Sequence, residues 1–213
     1  MDVSNCTALE NVILWDCTAL TTLTGMKKTA RMYVHHGLKP SIYQVGQLIC
    51  GDEGKNFNGN DAVVYEVGGD YARAVSVDEQ YARYKVSLLS NYASISSESD
   101  GYGNTKGHVD GGHAAASWCT GHGDWWYWPA YKELQNLMSV KTEVNATLSA
   151  IEATQIQGSC YLSSTYSSKM DNLEQNKWLY TIESDGSIYS TPHTSEQYLR
   201  AAYLLSNSTY EGL

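Results

Sequence analysis

Between residues 113 and 140 the apolar pattern changes period, and this constrains the fold more than any other feature of the chain. PAYKELQNLMSV (129–140) spaces Tyr131, Leu134, Leu137 and Met138 three and four residues apart, as on one face of a helix. Pro129 stands at its first turn, where the missing N–H is not needed. HAAASWC (113–119) predicts a shorter, Ala-rich helix stopped at Gly121, and TEVNATLSAI (142–151) a third. Before this block the chain alternates: AVVYEV (62–67), a GGD turn and YARAVSV (71–77) predict a hairpin, and SIYQVGQLI (41–49) an earlier strand. After it, CYLSST (160–165), KWLYTIE (177–183), SIYS (187–190) and QYLRAAYLL (197–205) predict strands again. GDEGKNFNGND (51–61) reads as a turn cluster, and 85–112, rich in Ser, Gly and Asn, as one long loop. Strands, helices, then strands imply an α+β class, with two helices packed on an antiparallel sheet and long irregular connections.

Composition narrows the partners. The 213 residues suffice to bury a sizeable core. Fourteen Lys and Arg against 23 Asp and Glu give a net charge of -9, so no basic footprint points to nucleic acid. No apolar run approaches the roughly 18 residues of a membrane span. The aromatic set is lopsided: 17 Tyr and 6 Trp, with Phe57 the single Phe. A core alone would not choose Tyr over Phe so consistently, because its hydroxyl wants water or a partner. Tyr beside Ser, Gly and Asn is also how antibody paratopes combine stiff contact area with adaptable hydrogen bonding.

The five cysteines (Cys6, Cys17, Cys50, Cys119 and Cys160) form no CxxC pair and match neither a zinc ribbon nor a dense disulfide frame. They read mostly as small buried hydrophobes. Near the N-terminus Cys6-Thr7-Ala8-Leu9 recurs eleven residues later as Cys17-Thr18-Ala19-Leu20, and Leu9, Val12, Leu14, Leu20 and Leu23 are spaced like an inward ladder. DVSNCTALENVILWDCTALTTL resembles the last turn of a bacterial cysteine-containing leucine-rich repeat. Such repeats need about three copies to bury their own face. Residues 1–24 are therefore expected to be the remnant of a longer solenoid in a larger parent chain, with 25–38 a linker and 39–213 the main domain. Residues 1–24 lack the basic start and continuous apolar stretch of a secretory leader, so a signal for an extracellular or cell-surface location is expected upstream of them.

Several segments of 39–213 together resemble one known family. WYWPAYKEL (126–134) is similar to the W-x-L-P-x-x-x-E-L helix start of bacterial C-type-lectin-fold domains. These include the variable proteins of diversity-generating retroelements and related domains of bacterial surface lipoproteins. YLSST (161–165) resembles their Y-W-S-S-T strand, and YLRAAYLL (198–205) their closing V-R-x-V strand. KPSIYQVGQLI, AVVYEV and RAVSV look like the opening strands, and AAASWC like the first helix. Two positions depart from the pattern: Trp128 precedes the proline in place of Leu, and Leu162 replaces the Trp of the Ser-Ser-Thr motif. The two changes are compatible with one indole moved across the core. The resemblance implies a C-type lectin fold in which Trp126, Trp128, Pro129, Leu134, Ser163, Ser164 and Arg200 are structural.

Each candidate chemistry in the chain has a simpler reading. Calcium-dependent sugar binding in this fold uses carboxylates and amides flanking a proline, and calcium takes six to eight oxygens. Pro40, Pro129 and Pro192 lack such neighbours on both sides. His108, Asp110, His113, Cys119, His122 and Asp124 fall within 17 residues, but without the i, i+4 pairing of a helical metal site, and they read as solvated loop residues. No Gly-x-Ser-x-Gly elbow surrounds Ser163 and Ser164. The formylglycine-generating enzymes share the implied architecture, but a reactive thiol needs a cationic neighbour, and none is evident beside Cys119 or Cys160. No catalysis, no metal and no cofactor are expected.

What remains is a binding surface. Tyr166, Ser168, Met170, Asp171, Asn172, Tyr180, Tyr189, Thr191, His193, Thr194, Gln197 and Tyr198 lie in or beside the last loops, joined by Trp125 at the Trp125–Trp128 edge. Their types match those that adenine-targeted diversification yields in retroelement-diversified relatives. The expectation is a non-catalytic adhesin or receptor-binding domain for an unknown protein or glycan. The alternatives are a phage receptor-binding tip and a formylglycine-type enzyme.

Overall fold

The computed structural model describes residues 1–14, 17, 19–34, 38–50, 61–83, 95–157, 160–167, 178–192 and 196–206. In chain order the first elements are β1 (Asn11–Ile13), β2 (Arg31–Tyr33), a 3-10 turn at Pro40–Ile42, β3 (Leu48–Cys50), β4 (Asp61–Val67), β5 (Tyr71–Ser76) and β6 (Gln80–Arg83). The central block is α1 (Gly101–Asp110), α2 (Ala114–Thr120), β7 (Trp126–Tyr127), α3 (Tyr131–Ser139) and α4 (Lys141–Ala150). The last elements are β8 (Tyr161–Ser167), β9 (Trp178–Ile182), β10 (Ile188–Pro192), β11 (Glu196–Leu199) and β12 (Ala202–Ser206). The class is α+β.

Two compact units share this chain. One comprises Met1–Val77, Val140–Ile156 and Tyr203–Leu213, the other Asp78–Ser139 and Gln157–Ala202. In the first, strands run β1-β2-β3-β4-β5-β12. β1, β2 and β3 are parallel, with Asn11 opposite Arg31 and Met32 opposite Ile49, and β3, β4 and β5 are antiparallel. Residues 25–38, expected as a linker, thus contain a sheet strand. Leu14, Met32, Val34, Ile49, Val63, Val64 and Val75 fill the core, and α4 adds Val144 and Leu148. Thr147 Oγ1 donates to the carbonyl of Gly46 at 2.6 Å. SIYQVGQLI is not one strand: Gly46, at φ +83°, turns the chain, and pairing starts only at Leu48.

In the second unit the strand order is β10-β9-β8-β11-β6. The pairs are antiparallel except β8 with β11, so the sheet is mixed rather than antiparallel throughout. α3 buries Tyr131, Leu134, Leu137 and Met138. Four α-helices, not two or three, occur among the described residues. The unforeseen one is α1, placed within the segment expected to be loop. Its sequence, GYGNTKGHVD, has no apolar stripe; the buried face is Gly101, Asn104, Thr105 and His108, three of them polar. Packing specifies this helix. Asp100 caps it by accepting from the Gly103 N–H at 2.8 Å. Glu133, buried at the start of α3, accepts from the Ala130 N–H at 2.9 Å and the Gly101 N–H at 3.3 Å, joining two helix starts. A Cβ at Gly101 would lie 2.5 Å from both Ala130 N and Glu133 Oε2, so only glycine fits there.

The YLRAAYLL run is likewise interrupted. Arg200 and Ala201 separate β11 from β12, and the two strands belong to different sheets.

Candidate ligand surface

Register places one row of side chains straight across the five-stranded sheet. Tyr81 lies opposite Tyr198, Tyr198 opposite Tyr161, Tyr161 opposite Ile182 and Ile182 opposite Ile188. The middle of the row is buried and its ends emerge: Tyr81 is 55% exposed and Ile188 38%. The rings touch in sequence, Tyr81 to Tyr198 at 4.6 Å between centroids and Tyr198 to Tyr161 at 5.7 Å. Tyr81 was not singled out by sequence; it lies just before the stretch read as loop, and only the β6–β11 pairing brings it to Tyr198.

The buried middle of the row rests on charge. Glu79 Oε2 accepts from Arg200 Nε at 3.0 Å and from the Tyr161 hydroxyl, and both ionic side chains are almost fully enclosed. The shared carboxylate holds the sheet edge and the row together.

The sequence-predicted contacts separate. Tyr189 is exposed, at 57%; Tyr198, Tyr166 and Tyr180 are half-buried, Tyr180 against Tyr131 at 4.9 Å. Gln197, expected to contact ligand, is instead only 4% exposed on the other face of β11. Ser168, Met170, Asp171, Asn172, His193 and Thr194, and the side chain of Thr191, lie outside the described residues. Trp125 is half-buried, at φ +67°, a backbone conformation costly for a bulky residue. It stacks on Tyr102 (5.8 Å, 18°), which meets buried Tyr127 edge-on. The Trp125–Trp128 edge therefore reduces to Trp125, because Trp126, Tyr127 and Trp128 are core.

That core corner is tightly specified. The Trp128 indole N–H donates to the Leu162 carbonyl at 2.8 Å, linking the two positions that depart from the family pattern. The Ser164 N–H donates to the Pro129 carbonyl at 2.9 Å, and the Tyr131 N–H to Thr165 Oγ1 at 3.2 Å. Ser163 and Ser164 are buried, as is Leu134.

His108 and His113 are not solvated loop residues. Both are fully buried, each ring 4.8 Å from Trp128. His108 Nε2 lies 2.8 Å from the Ser164 carbonyl, which can only accept, so Nε2 carries the proton. Desolvation lowers the His108 pKa to about 4, against the raising effect of that carbonyl. Among the described residues no three His, Cys, Asp or Glu side chains converge as metal ligands. Cys119 is buried, and desolvation pushes its pKa well up. Burial, with Glu183 accepting from its thiol at 2.6 Å, raises Cys160 to about 11.

One consequence is acid sensitivity. A histidine with a depressed folded pKa favours the neutral form, so its contribution is complete above about 6.5 and lost as pH falls toward about 4. The loss should reach about 3 kcal/mol. His108→Gln keeps a donor for Ser164 but does not titrate. Urea unfolding from pH 7 to 4 should bring wild type and variant closer by that amount; parallel profiles would refute the assignment.

The elements define an α+β protein with an aromatic row at a sheet edge. Comparison with protein-family models, curated proteins and solved structures gives no match.

Proposed function

We propose that residues 39–213 form a non-catalytic ligand-binding domain of the C-type lectin kind, an adhesin or receptor-binding module of a bacterial surface protein. The observation that carries this reading is the tyrosine row that emerges at one sheet edge, with Tyr81 exposed and Tyr198 half-buried against it. Rigid strands holding half-wet aromatics are how such surfaces gain contact area at low entropic cost. The fold assignment draws support from β12 lying beside β5, closing strand against opening hairpin, and from the bonds joining the Trp-Pro corner to the Ser-Ser-Thr strand. The raised thiol pKa values of Cys119 and Cys160 speak against a cysteine-based enzyme. For residues 1–24, the parallel β1 and β2 with partners 20 positions apart, and the Asp2–Thr24 bridge 22 apart, support the end of a leucine-rich-repeat solenoid.

The test is binding of the labelled protein to a glycan array and a panel of extracellular proteins. Interface aromatics typically contribute about 2 kcal/mol each, roughly 30-fold in affinity. Tyr81→Ala combined with Tyr198→Ala should abolish capture while circular dichroism is unchanged, and EDTA should not matter. No capture on either surface, or full capture by the double variant, refutes the reading.

A further inference from the structure

His122 sits in the turn that ends α2, and both its ring nitrogens face oxygens that can only accept. Nδ1 is 3.1 Å from the Trp118 carbonyl, and Nε2 is 3.0 and 3.2 Å from the two carboxylate oxygens of Asp78. A neutral imidazole has one N–H and satisfies one of these; an imidazolium has two and satisfies both. The ring is also held between indoles, edge-on to Trp118 at 4.6 Å and tilted over Trp126 at 5.0 Å, within the range where an aromatic face attracts a cation. Its side chain is 7% exposed, whereas Asp78 is 58% exposed.

Asp78 begins the second compact unit and stands two residues before β6. Glu79, next in the chain, binds Arg200 and Tyr161. The segment that delivers Tyr81 to the sheet edge is thus pinned at two consecutive residues, one pin enclosed and the other ending on a titratable ring. We infer that His122 and Asp78 form a pH-operated clamp on the entry to β6, closed when His122 is protonated. Its consequence for binding rests on the ligand-surface reading above: the tyrosine edge is held most firmly at or below neutral pH.

Among the described residues, the titratable side chain bonded to His122 is Asp78 from the β5–β6 connection, and α2 brings the neighbouring thiol of Cys119; Trp118 and Trp126 bring no charge. Cys119 stays a neutral thiol because burial raises its pKa. Desolvation lowers the His122 pKa, but the hydrogen bond and charge of Asp78 with the Trp118 and Cys119 carbonyls outweigh it and raise the value. The sign follows. The clamp is fully present below the unfolded histidine value of about 6.5 and is lost as pH rises through the higher folded one.

The test follows the wild-type protein by imidazole NMR and tryptophan fluorescence across pH, since a protonated ring beside two indoles quenches them. A reversible step is expected above pH 6.5, missing in His122→Gln and shifted to lower pH in Asp78→Asn. Because Asp78 is exposed, raising NaCl from about 0.05 to 0.5 M should also lower the wild-type midpoint, by screening. Amide exchange of Gln80–Arg83, corrected for its intrinsic pH dependence, should quicken as the step is crossed. A midpoint indifferent to both Asp78→Asn and salt overturns the clamp. A normal step with no change in β6 exchange overturns its action on β6. Neither readout involves a ligand, so the ligand-surface reading stands or falls separately, on the capture assay.

Discussion

Trp128→Ala is expected to destabilise the protein by about 3–5 kcal/mol, the range for truncating a core aromatic. The indole is fully enclosed, with a buried histidine ring 4.8 Å away on each of two contacts. Its N–H donates to the Leu162 carbonyl at 2.8 Å, so alanine leaves a void and an orphaned acceptor together. The backbone of Trp128 is fixed as well, donating at 2.8 Å to Thr105 Oγ1, whose hydroxyl reaches the Gly101 carbonyl at 2.6 Å. The site has little freedom to collapse, which places the loss toward the upper part of the range. Trp128→Phe separates the terms: it keeps most of the volume and gives up the hydrogen bond, and should cost about half as much or less. Urea denaturation of both variants checks this. A loss under about 1 kcal/mol for alanine, the level of an ordinary surface change, would contradict the burial of this corner.

The same corner shows what was legible in the sequence. The helix start at Pro129 and the strands 161–167 and 178–182 follow from local signals: a proline, a 3.6-residue period and alternation. α1 was not legible, because its buried face is made of Asn104, Thr105 and His108, and a polar face carries no hydrophobic period. Burying such residues requires partners from far along the chain, such as the Ser164 carbonyl for His108, and no sequence window contains those partners. The misreading of His108 and His113 as solvated has the same origin. The candidate surface was legible only in kind. The surplus of Tyr over Phe does not by itself separate surface from core, since Tyr43, Tyr65, Tyr127, Tyr161 and Tyr203 are buried; Tyr189 and Tyr198 were named from their place beside the last loops. Tyr81 was not, because pairing of β6 with β11 joins positions over a hundred residues apart. Gln197 was misassigned because one residue of register separates the two faces of a strand.

Glu79→Ala and Arg200→Ala should each cost about 3–5 kcal/mol, since each strands a partner charge in a nearly dry site. The two side chains meet at 3.0 Å, and the Tyr161 hydroxyl completes the bonding of the same carboxylate oxygen. Burial also pushes the Tyr161 phenol pKa up, helped by the Glu79 carboxylate and opposed by Arg200, so the hydroxyl remains a donor. Removing both charges together, as Glu79→Leu with Arg200→Met, leaves no stranded ion and should cost clearly less than the sum of the single losses. A double-mutant cycle by urea denaturation measures the difference. Tyr161→Phe removes one donor while the ion pair stays, and should cost about 1–2 kcal/mol. The pair lies where the chain enters β6 and where β11 ends, so its loss should also loosen the edge that carries Tyr81 and Tyr198. Single variants losing under 1 kcal/mol each, or a double variant losing the full sum, would show that Glu79 and Arg200 are not a coupled buried pair.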